Sequence, residues 1–163
     1  MQSAPGCLID AELAGFLESP VMIIVGTGLG GVPEIGRGLG ALVEAGGAAL
    51  HLVVSAWQWP RTVSQARESG TIAITFARPT DYVTYQVKGQ VEWIGPLTPA
   101  LHARAARYAA EIAEVLAGLG MSPELTAPWR SKRDLVALRI RPQQAFVQTP
   151  GPRAGHALAE RTG

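Results

Sequence analysis

The sequence has one cysteine, no histidine cluster and no long apolar run, and each shortage excludes a class of protein. Cys7 alone cannot form an intrachain disulfide or a cysteine-rich metal site. The histidines, His51, His102 and His156, lack the spacing of metal ligands, so we predict no metal site. No stretch approaches the ~18 apolar residues of a membrane span. Because Asp10 precedes the first apolar stretch, we expect a cytoplasmic protein that is not exported.

Charge is also scarce and almost balanced. Charged residues make up 17% of the 163 positions, hydrophobic residues make up 47%, and the net charge is +1 at pH 7. The 14 basic residues are scattered, so the sequence lacks the basic patch typical of nucleic-acid-binding proteins. A chain of this length forms one domain with a single core. With so few charged side chains to cover the surface, we expect apolar surface to bind a ligand or a second copy, and we predict a homodimer.

Two neighbouring strands give the clearest structural signal. Residues 71–77 (TIAITFA) and 82–94 (YVTYQVKGQVEWI) are rich in β-branched and aromatic side chains, and the break between them predicts a tight connection. Further strands are predicted at 21–27, 33–43, 48–55 and 134–140, the first three as a meander. Helices are predicted at 10–18, 98–119 and 122–129. This pattern is mainly β with helices and favours a small antiparallel barrel.

Proline and glycine set the predicted domain limits. Beyond Pro142 they predict a loss of regular structure. We therefore expect one folded domain over residues 1–147, which includes a helical insertion at 98–129. Residues 148–163 are expected to form a C-terminal tail.

A glycine-rich segment matches the dinucleotide-binding fingerprint G-x-G-x-x-G. It runs from Gly26 to Gly31 and directly follows a predicted strand. A true fingerprint opens a helix, but here Pro33 follows within two residues. No acidic residue ends a strand about twenty positions later, where a ribose partner is expected. We therefore predict a plain hairpin turn.

A candidate phosphate site stands where a short helical segment begins after Pro60. Arg61 and Thr62 place a guanidinium and a hydroxyl beside the free N–H groups of a helix N-terminus, and Ser55 ends the preceding strand. Such groups hold phosphate through charge-assisted hydrogen bonds. The same residues also fit a solvated helix start, and the sequence leaves both interpretations open.

A second candidate is a polar face on the strand after residue 82. The two-residue period places Thr84, Gln86 and Lys88 on one face. This face is either hydrated or offers hydrogen bonds to a flat heteroaromatic ring. Arg37, which projects between Gly36 and Gly38, supplies a positive charge nearby, and the alternating glycines allow a close approach to one face of their strand.

Three segments together resemble the pyridoxamine 5′-phosphate oxidase-like, FMN-binding split-barrel family. They are VMIIVGTGLGGVPEIGRG, RTVSQARESGTIAITFARPTDYVTYQVKGQV and QAFVQTPGPRAG. The resemblance implies a six-stranded antiparallel Greek-key split β-barrel, a homodimer with two sites at the subunit interface, and FMN as the usual cofactor. The function it implies is an FMN-dependent oxidoreductase acting on a small molecule, which orients the cofactor without an assigned catalytic residue.

The resemblance also implies roles for individual residues. The family holds the phosphate with an Arg or Lys and a neighbouring Ser or Thr just after the third strand, which corresponds to Arg61 and Thr62. Gln65 stands where an Asn is common, and Trp57 and Trp59 stand where smaller residues are usual. The residues expected near the ribityl chain or the ring are Arg37, Thr84, Gln86 and Lys88.

The wider family leaves two alternatives open. One is a non-enzymatic dimeric binding protein that uses the same crevice for haem or another aromatic ligand, which the two tryptophans beside Arg61 motivate. The other is an F420-dependent reductase, for which Arg130, Lys132 and Arg133 supply positive charge. Because members differ in cofactor, the fold carries over better than the reaction.

Overall fold

The computed structural model describes residues 7–159 as an antiparallel β-barrel with helices packed outside it. Its elements in chain order are α1 (Ala11–Leu17), β1 (Met22–Leu29), β2 (Val32–Val43), β3 (Leu50–Ser55), α2 (Pro60–Ser69), β4 (Thr71–Ala77), β5 (Thr84–Gly95), α3 (Pro99–Gly118), α4 (Pro123–Thr126), β6 (Leu135–Val147) and β7 (Ala157–Ala159). Short 3₁₀ turns occupy Ala45–Gly47 and Ala127–Trp129. The two ends of the predicted domain and tail, residues 1–6 and 160–163, lie outside the described range.

The strand order confirms the predicted barrel. Neighbouring strands run β3-β2-β1-β4-β5-β6, and β3 also pairs with β6, which closes the sheet. Every pairing is antiparallel. β1, β2 and β3 form the predicted meander, and β4 then returns to pair with the other edge of β1, which gives the Greek-key order. The homodimer stays a prediction.

The glycine-rich segment forms a hairpin, as predicted. β1 ends at Leu29 and β2 begins at Val32, so Gly30 and Gly31 alone make the turn. Their φ angles are +57° and +79°, and two-residue hairpins of this kind need positive φ at both positions. No helix follows, and the neighbouring strands are antiparallel. The segment therefore lacks the structure of a dinucleotide-binding loop.

The predicted end of the last strand at Ile140 is wrong, because β6 continues through Pro142 to Val147. Pro142 pairs with Gly89 where the register between β5 and β6 shifts, and an irregular position tolerates a residue without an N–H group. The chain then turns and adds β7 to the end of β6. The predicted tail therefore contains a short strand.

Alternation of side chains divides the barrel into an inner and an outer face. The inner face carries fully buried side chains such as Ile23, Ile74, Phe76, Leu52 and Leu138. α3 packs on the outside of β2 through buried apolar side chains, among them Leu101, Ile112 and Leu116. Within the part of the chain that the structure covers, no helix has both the length and the apolar composition that a bilayer span requires.

Candidate functional site

The N-terminus of α2 is the first part of the candidate site. Trp59 precedes the helix without capping it through its side chain, and Pro60 occupies the first helical position. The first backbone N–H to be satisfied there is that of Val63, which donates to the Trp59 carbonyl at 3.1 Å. Within residues 7–159 the N–H groups of Arg61 and Thr62 have no backbone partner. This first turn therefore offers two free donors at the positive end of the helix dipole.

Arg61 extends from this turn into solvent and pairs with Glu34 of β2. Its Nη2 lies 2.7 Å from Glu34 Oε1, and its side chain is 71% exposed. An exposed ion pair of this kind contributes about 0–1 kcal/mol to stability. The Arg61 guanidinium is therefore accessible to solvent, although the Glu34 carboxylate already pairs with it.

Thr62 and Trp59 fill the space that Gly36 leaves between β2 and α2. A Cβ atom on Gly36 would lie 3.0 Å from Thr62 Oγ1 and 3.1 Å from Trp59 Cγ. The close approach predicted for the glycine-rich strand is therefore made here by the protein's own helix. Trp57 is an exposed side chain, and the Arg133 guanidinium stacks on its ring at 4.7 Å.

Ser55 and Gln65 lie beside this turn, and their polar groups already have partners. The buried Ser55 hydroxyl donates to the Arg133 carbonyl at 2.6 Å and accepts from the Gln58 N–H at 3.1 Å. Gln65 accepts from the Thr27 hydroxyl and donates to the Val32 carbonyl, both at 3.1 Å. Both side chains thus anchor the segment around the α2 N-terminus. Their predicted roles in cofactor binding stay predictions.

The second part of the candidate site is a groove on the outer face of the barrel. Strand register places Gly26, Ala73 and Lys88 side by side on β1, β4 and β5, with Gln144 of β6 next in the row. These residues, together with Gly28, line an open groove of about 500 Å³. That volume lies within the range of small-molecule sites, and the small residues on its floor let a flat group approach the backbone.

The predicted polar face of β5 borders this groove. Gln86 donates to the Thr75 hydroxyl at 3.2 Å, and the Lys88 ammonium lies 5.2 Å from the centre of the Phe146 ring. Thr84 stands at the start of β5, where its hydroxyl donates to the Tyr82 carbonyl at 2.8 Å. Lys88 thus lines the groove itself, whereas the Thr84 hydroxyl is engaged in the preceding turn.

The strand register brings the two parts of the site near each other on β1 and β2, but on opposite faces of the sheet. Glu34, the partner of Arg61, pairs with Thr27, whereas its neighbour Ile35 pairs with Gly26 of the groove floor, and consecutive strand residues face opposite sides. Glu34 could not be predicted from the sequence, because only the folded structure shows that a β2 carboxylate reaches α2. The alternation of side chains predicted the face on which Lys88 lies, but it could not predict the groove.

Arg37 lies apart from both. On the outer face of the barrel, Arg37 lies in one row with Ile24, Thr75 and Gln86, each on the next neighbouring strand. Three strand spacings therefore separate Arg37 from Gln86, a distance of about 14 Å. The guanidinium is covered by the Trp129 ring at 4.6 Å. The structure therefore does not bring Arg37 to the α2 turn, and its predicted place beside a ring is untested.

No protein-family model matches the sequence, and no curated protein is significantly similar to it. Solved structures do match. An F420 reductase is 17% identical, with a TM-score of 0.54 over 80% of this chain and 93% of its own. LDB0262 from Lactobacillus delbrueckii, described as a candidate pyridoxamine 5′-phosphate oxidase, is 10% identical, with a TM-score of 0.53 over 90% and 100%. HutZ, the haem storage protein of Vibrio cholerae, is 12% identical, with a TM-score of 0.50 over 85% and 94%.

These likenesses concern the fold. All three identities are far below the level at which function follows, and the three proteins are described by different ligands or activities. What the chain shares with them is the pyridoxamine 5′-phosphate oxidase-like split barrel. The sequence-based resemblance is therefore confirmed as a fold, and this fold does not determine the ligand.

Proposed function

We propose that the chain binds FMN and acts as an FMN-dependent oxidoreductase on a small molecule, with the cofactor phosphate at the N-terminus of α2. The observation that carries the proposal is the uncapped first turn of this helix, where two backbone N–H groups have no backbone partner and Arg61 carries an exposed guanidinium. Backbone donors, a helix dipole and a guanidinium are the groups that bind phosphate in proteins. The donor set of the turn therefore fits the phosphate of FMN.

Arg61 binds the phosphate by exchanging one anion for another. In the structure it pairs with the single carboxylate of Glu34. A phosphate monoester carries more charge than a carboxylate and accepts several hydrogen bonds at once. The phosphate therefore competes favourably for Arg61, and Thr62 adds its N–H group.

The groove on the outer face receives the ring. Its floor at Gly26 and Ala73 admits a flat group, and Lys88 provides a donor along one side. Because the α2 turn lies on the other face of β2, the ribityl chain has to pass around the β1–β2 hairpin. When bound, FMN supplies the redox chemistry, and the chain's own residues bind and orient it. No side chain is assigned a proton-transfer role.

A comparison of FMN with riboflavin tests this proposal, because the two differ only in the phosphate. Titrations followed by flavin fluorescence should show FMN binding about 10- to 100-fold more tightly, the effect of hydrogen bonds to a charged group. Arg61→Ala should abolish most of this difference. Arg67→Ala, at an exposed position in the last turn of the same helix, should preserve it. Equal binding of the two flavins, or binding of neither, would contradict the proposal.

A second candidate function is a non-enzymatic binding protein for haem or another flat aromatic ligand. The observation that favours it is the Trp59 ring, which packs against Gly36 beside Thr62 and narrows the space at the phosphate turn.

Another alternative is the cofactor F420. Arg133, which stacks on Trp57 next to Ser55, offers the positive charge that the longer anionic tail of F420 would need. Titration with haem and with F420 under the same conditions separates these ligands from FMN. Tighter binding of either one would favour it as the ligand.

A further inference from the structure

A pocket separate from the α2 turn and the groove opens between helix α3 and the outer face of the barrel. Its volume is about 260 Å³. Leu39 of β2 and Leu135 of β6 form its barrel side, and Ala105, Ala106 and Ala109 of α3 form the opposite side. An apolar cavity of about 150 Å³ is enough to hold benzene. The pocket therefore has room for a six-membered ring together with a small polar group.

The floor and the mouth of this pocket differ in chemistry. Leu39, Ala105 and Ala109 are buried and make the floor apolar. His102 and Lys132, which also line the pocket, are exposed, which places them at its mouth. None of the lining residues is acidic. The pocket therefore suits a ligand with a compact apolar body and a negatively charged end.

Both basic side chains can accept a ligand without giving up an existing partner. Neither Lys132 nor His102 takes part in an ion pair within residues 7–159. Asp134, the acidic residue nearest to Lys132 in the sequence, lies 4.0 Å from Arg133 Nε instead. A carboxylate at the mouth of the pocket therefore gains partners and displaces none.

The segment that carries Lys132 is fixed to the barrel on its C-terminal side. The Arg133 carbonyl accepts a hydrogen bond from the Ser55 hydroxyl at 2.6 Å. The Asp134 carbonyl accepts one from the Ala56 N–H at 2.8 Å. Because this backbone is held, Lys132 extends from a fixed point at the mouth, and only its ammonium end has to adjust to a ligand.

We propose that this pocket binds a small monocarboxylate with a compact apolar body, of about benzoate size. The apolar body lies on the floor against Leu39, and the carboxylate accepts hydrogen bonds from the Lys132 ammonium and the His102 ring N–H. The small side chains of Ala105 and Ala109 leave the space that the apolar body fills. None of these residues belongs to the α2 turn or to the groove, so binding here is independent of FMN.

Benzoate and benzamide separate the effect of the charge from that of the apolar body, because they differ only in the carboxylate and the amide group. Titration of ¹⁵N-labelled protein with benzoate should shift the backbone N–H signals of Ala105, Ala106 and Ala109 along a saturable curve. Benzamide should bind about tenfold more weakly, the effect of losing a hydrogen bond between charged groups. Lys132→Gln should remove most of this difference. Arg67→Gln, which removes the same charge from α2, should preserve it.

A second pair of variants tests whether the ligand occupies the pocket. Ala106 is exposed, so Ala106→Leu adds a larger side chain at the wall of the pocket without overpacking the core. It should abolish the saturable benzoate shift at Ala109. Ala110→Leu, at an exposed position of the same helix outside the pocket lining, should leave the shift unchanged.

Three results would overturn the proposal. One is the absence of a saturable benzoate shift at the α3 alanines of the unaltered protein. Another is equal binding of benzoate and benzamide, which would show an apolar pocket that does not select an anion. The third is unchanged benzoate binding by Ala106→Leu, which would place the ligand elsewhere. The first two comparisons use the unaltered protein, so they decide the matter even where a variant fails to fold.

Discussion

At the scale of single residues, several polar side chains that the sequence singled out for a ligand are used to hold the fold. Ser55 and Gln65 each bond to two partners within the chain. Arg61 differs, because its only ion-pair partner in the described part of the chain is Glu34, and the pair lies at the surface. A single sequence does not show which polar groups the fold itself will satisfy. This is why residue type and position predicted candidates for the site but not their availability.

Gly38 makes a clear prediction at this scale. A Cβ atom added there would lie 2.5 Å from Ile23 Cγ2 and 2.9 Å from Leu52 Cδ1, both inside the barrel. Gly38→Ala should therefore lower the free energy of unfolding by about 1–3 kcal/mol, the usual effect of overpacking a core. Gly118→Ala is the control, since no atom lies within 4 Å of a Cβ at that helical position. Urea unfolding measures both, and equal stability of the two variants would refute the packing at Gly38.

Glu44 predicts a dependence of stability on acid. Arg139 bonds to both of its carboxylate oxygens at 2.9 and 3.0 Å, and His51 Nε2 lies 2.7 Å from Oε1. These bonds, that of Arg139 first, lower the pKa of Glu44 from 4.5 to about 2. A carboxyl group whose folded pKa is depressed stabilises the fold above its unfolded pKa and loses that effect as the pH falls through the folded pKa. The contribution of Glu44 should therefore disappear between about pH 4.5 and pH 2.

Glu44→Gln tests this dependence. The variant should be less stable at neutral pH by up to about 1 kcal/mol, a small effect because the pair is partly exposed. The difference from the unaltered protein should shrink as the pH falls through the window. Glu68→Gln, at an exposed position of α2, should have no comparable effect. Urea unfolding across this pH range measures the difference, and a constant difference at all pH values would show that the carboxylate charge of Glu44 is not the cause.

At the scale of elements, the sequence predicted most strands and helices, and its errors have a physical reason. Asp10 and Thr98 each cap the helix that follows, and both starts were predicted. Pro142 led to the wrong prediction that the last strand ends before it, because proline normally ends a strand. Here proline is tolerated at the irregular pairing with Gly89. That irregularity depends on a strand about fifty residues earlier, which local sequence does not reveal. The groove could not be predicted for the same reason, since its floor is formed by β1, β4 and β5, which only the fold brings together.

Helix α3 is fixed to the barrel by a hydrogen bond that can be removed. The Tyr108 hydroxyl donates to the Val21 carbonyl, and both residues are buried. Tyr108→Phe would leave this acceptor unsatisfied and should lower the free energy of unfolding by about 1–3 kcal/mol. Tyr82→Phe removes the same atom at a side chain that is 70% exposed and should have almost no effect. Thermal unfolding of both variants checks the prediction, and equal melting temperatures would mean that the bond does not hold α3.

At the scale of the whole molecule, the outer face of the barrel has the composition of a contact surface. Ile35, 66% exposed, stands at one side of the groove, where it pairs with Gly26. Small side chains between Ile35 and β5 let another surface approach closely. We propose that two chains associate through this face. Light scattering after gel filtration should give a mass of twice the chain mass of 17.2 kDa. Ile35→Lys should lower the measured mass toward that of a single chain. A mass of one chain for the unaltered protein would refute the dimer.

A visible absorbance spectrum shows whether the N-terminus of α2 holds the phosphate of a bound flavin. The protein is incubated with FMN and passed through a desalting column. The unaltered chain and Arg67→Ala should be yellow with flavin absorbance bands, and Arg61→Ala should be colourless. A colourless unaltered chain, or an Arg61→Ala variant that retains FMN equally well, would contradict it.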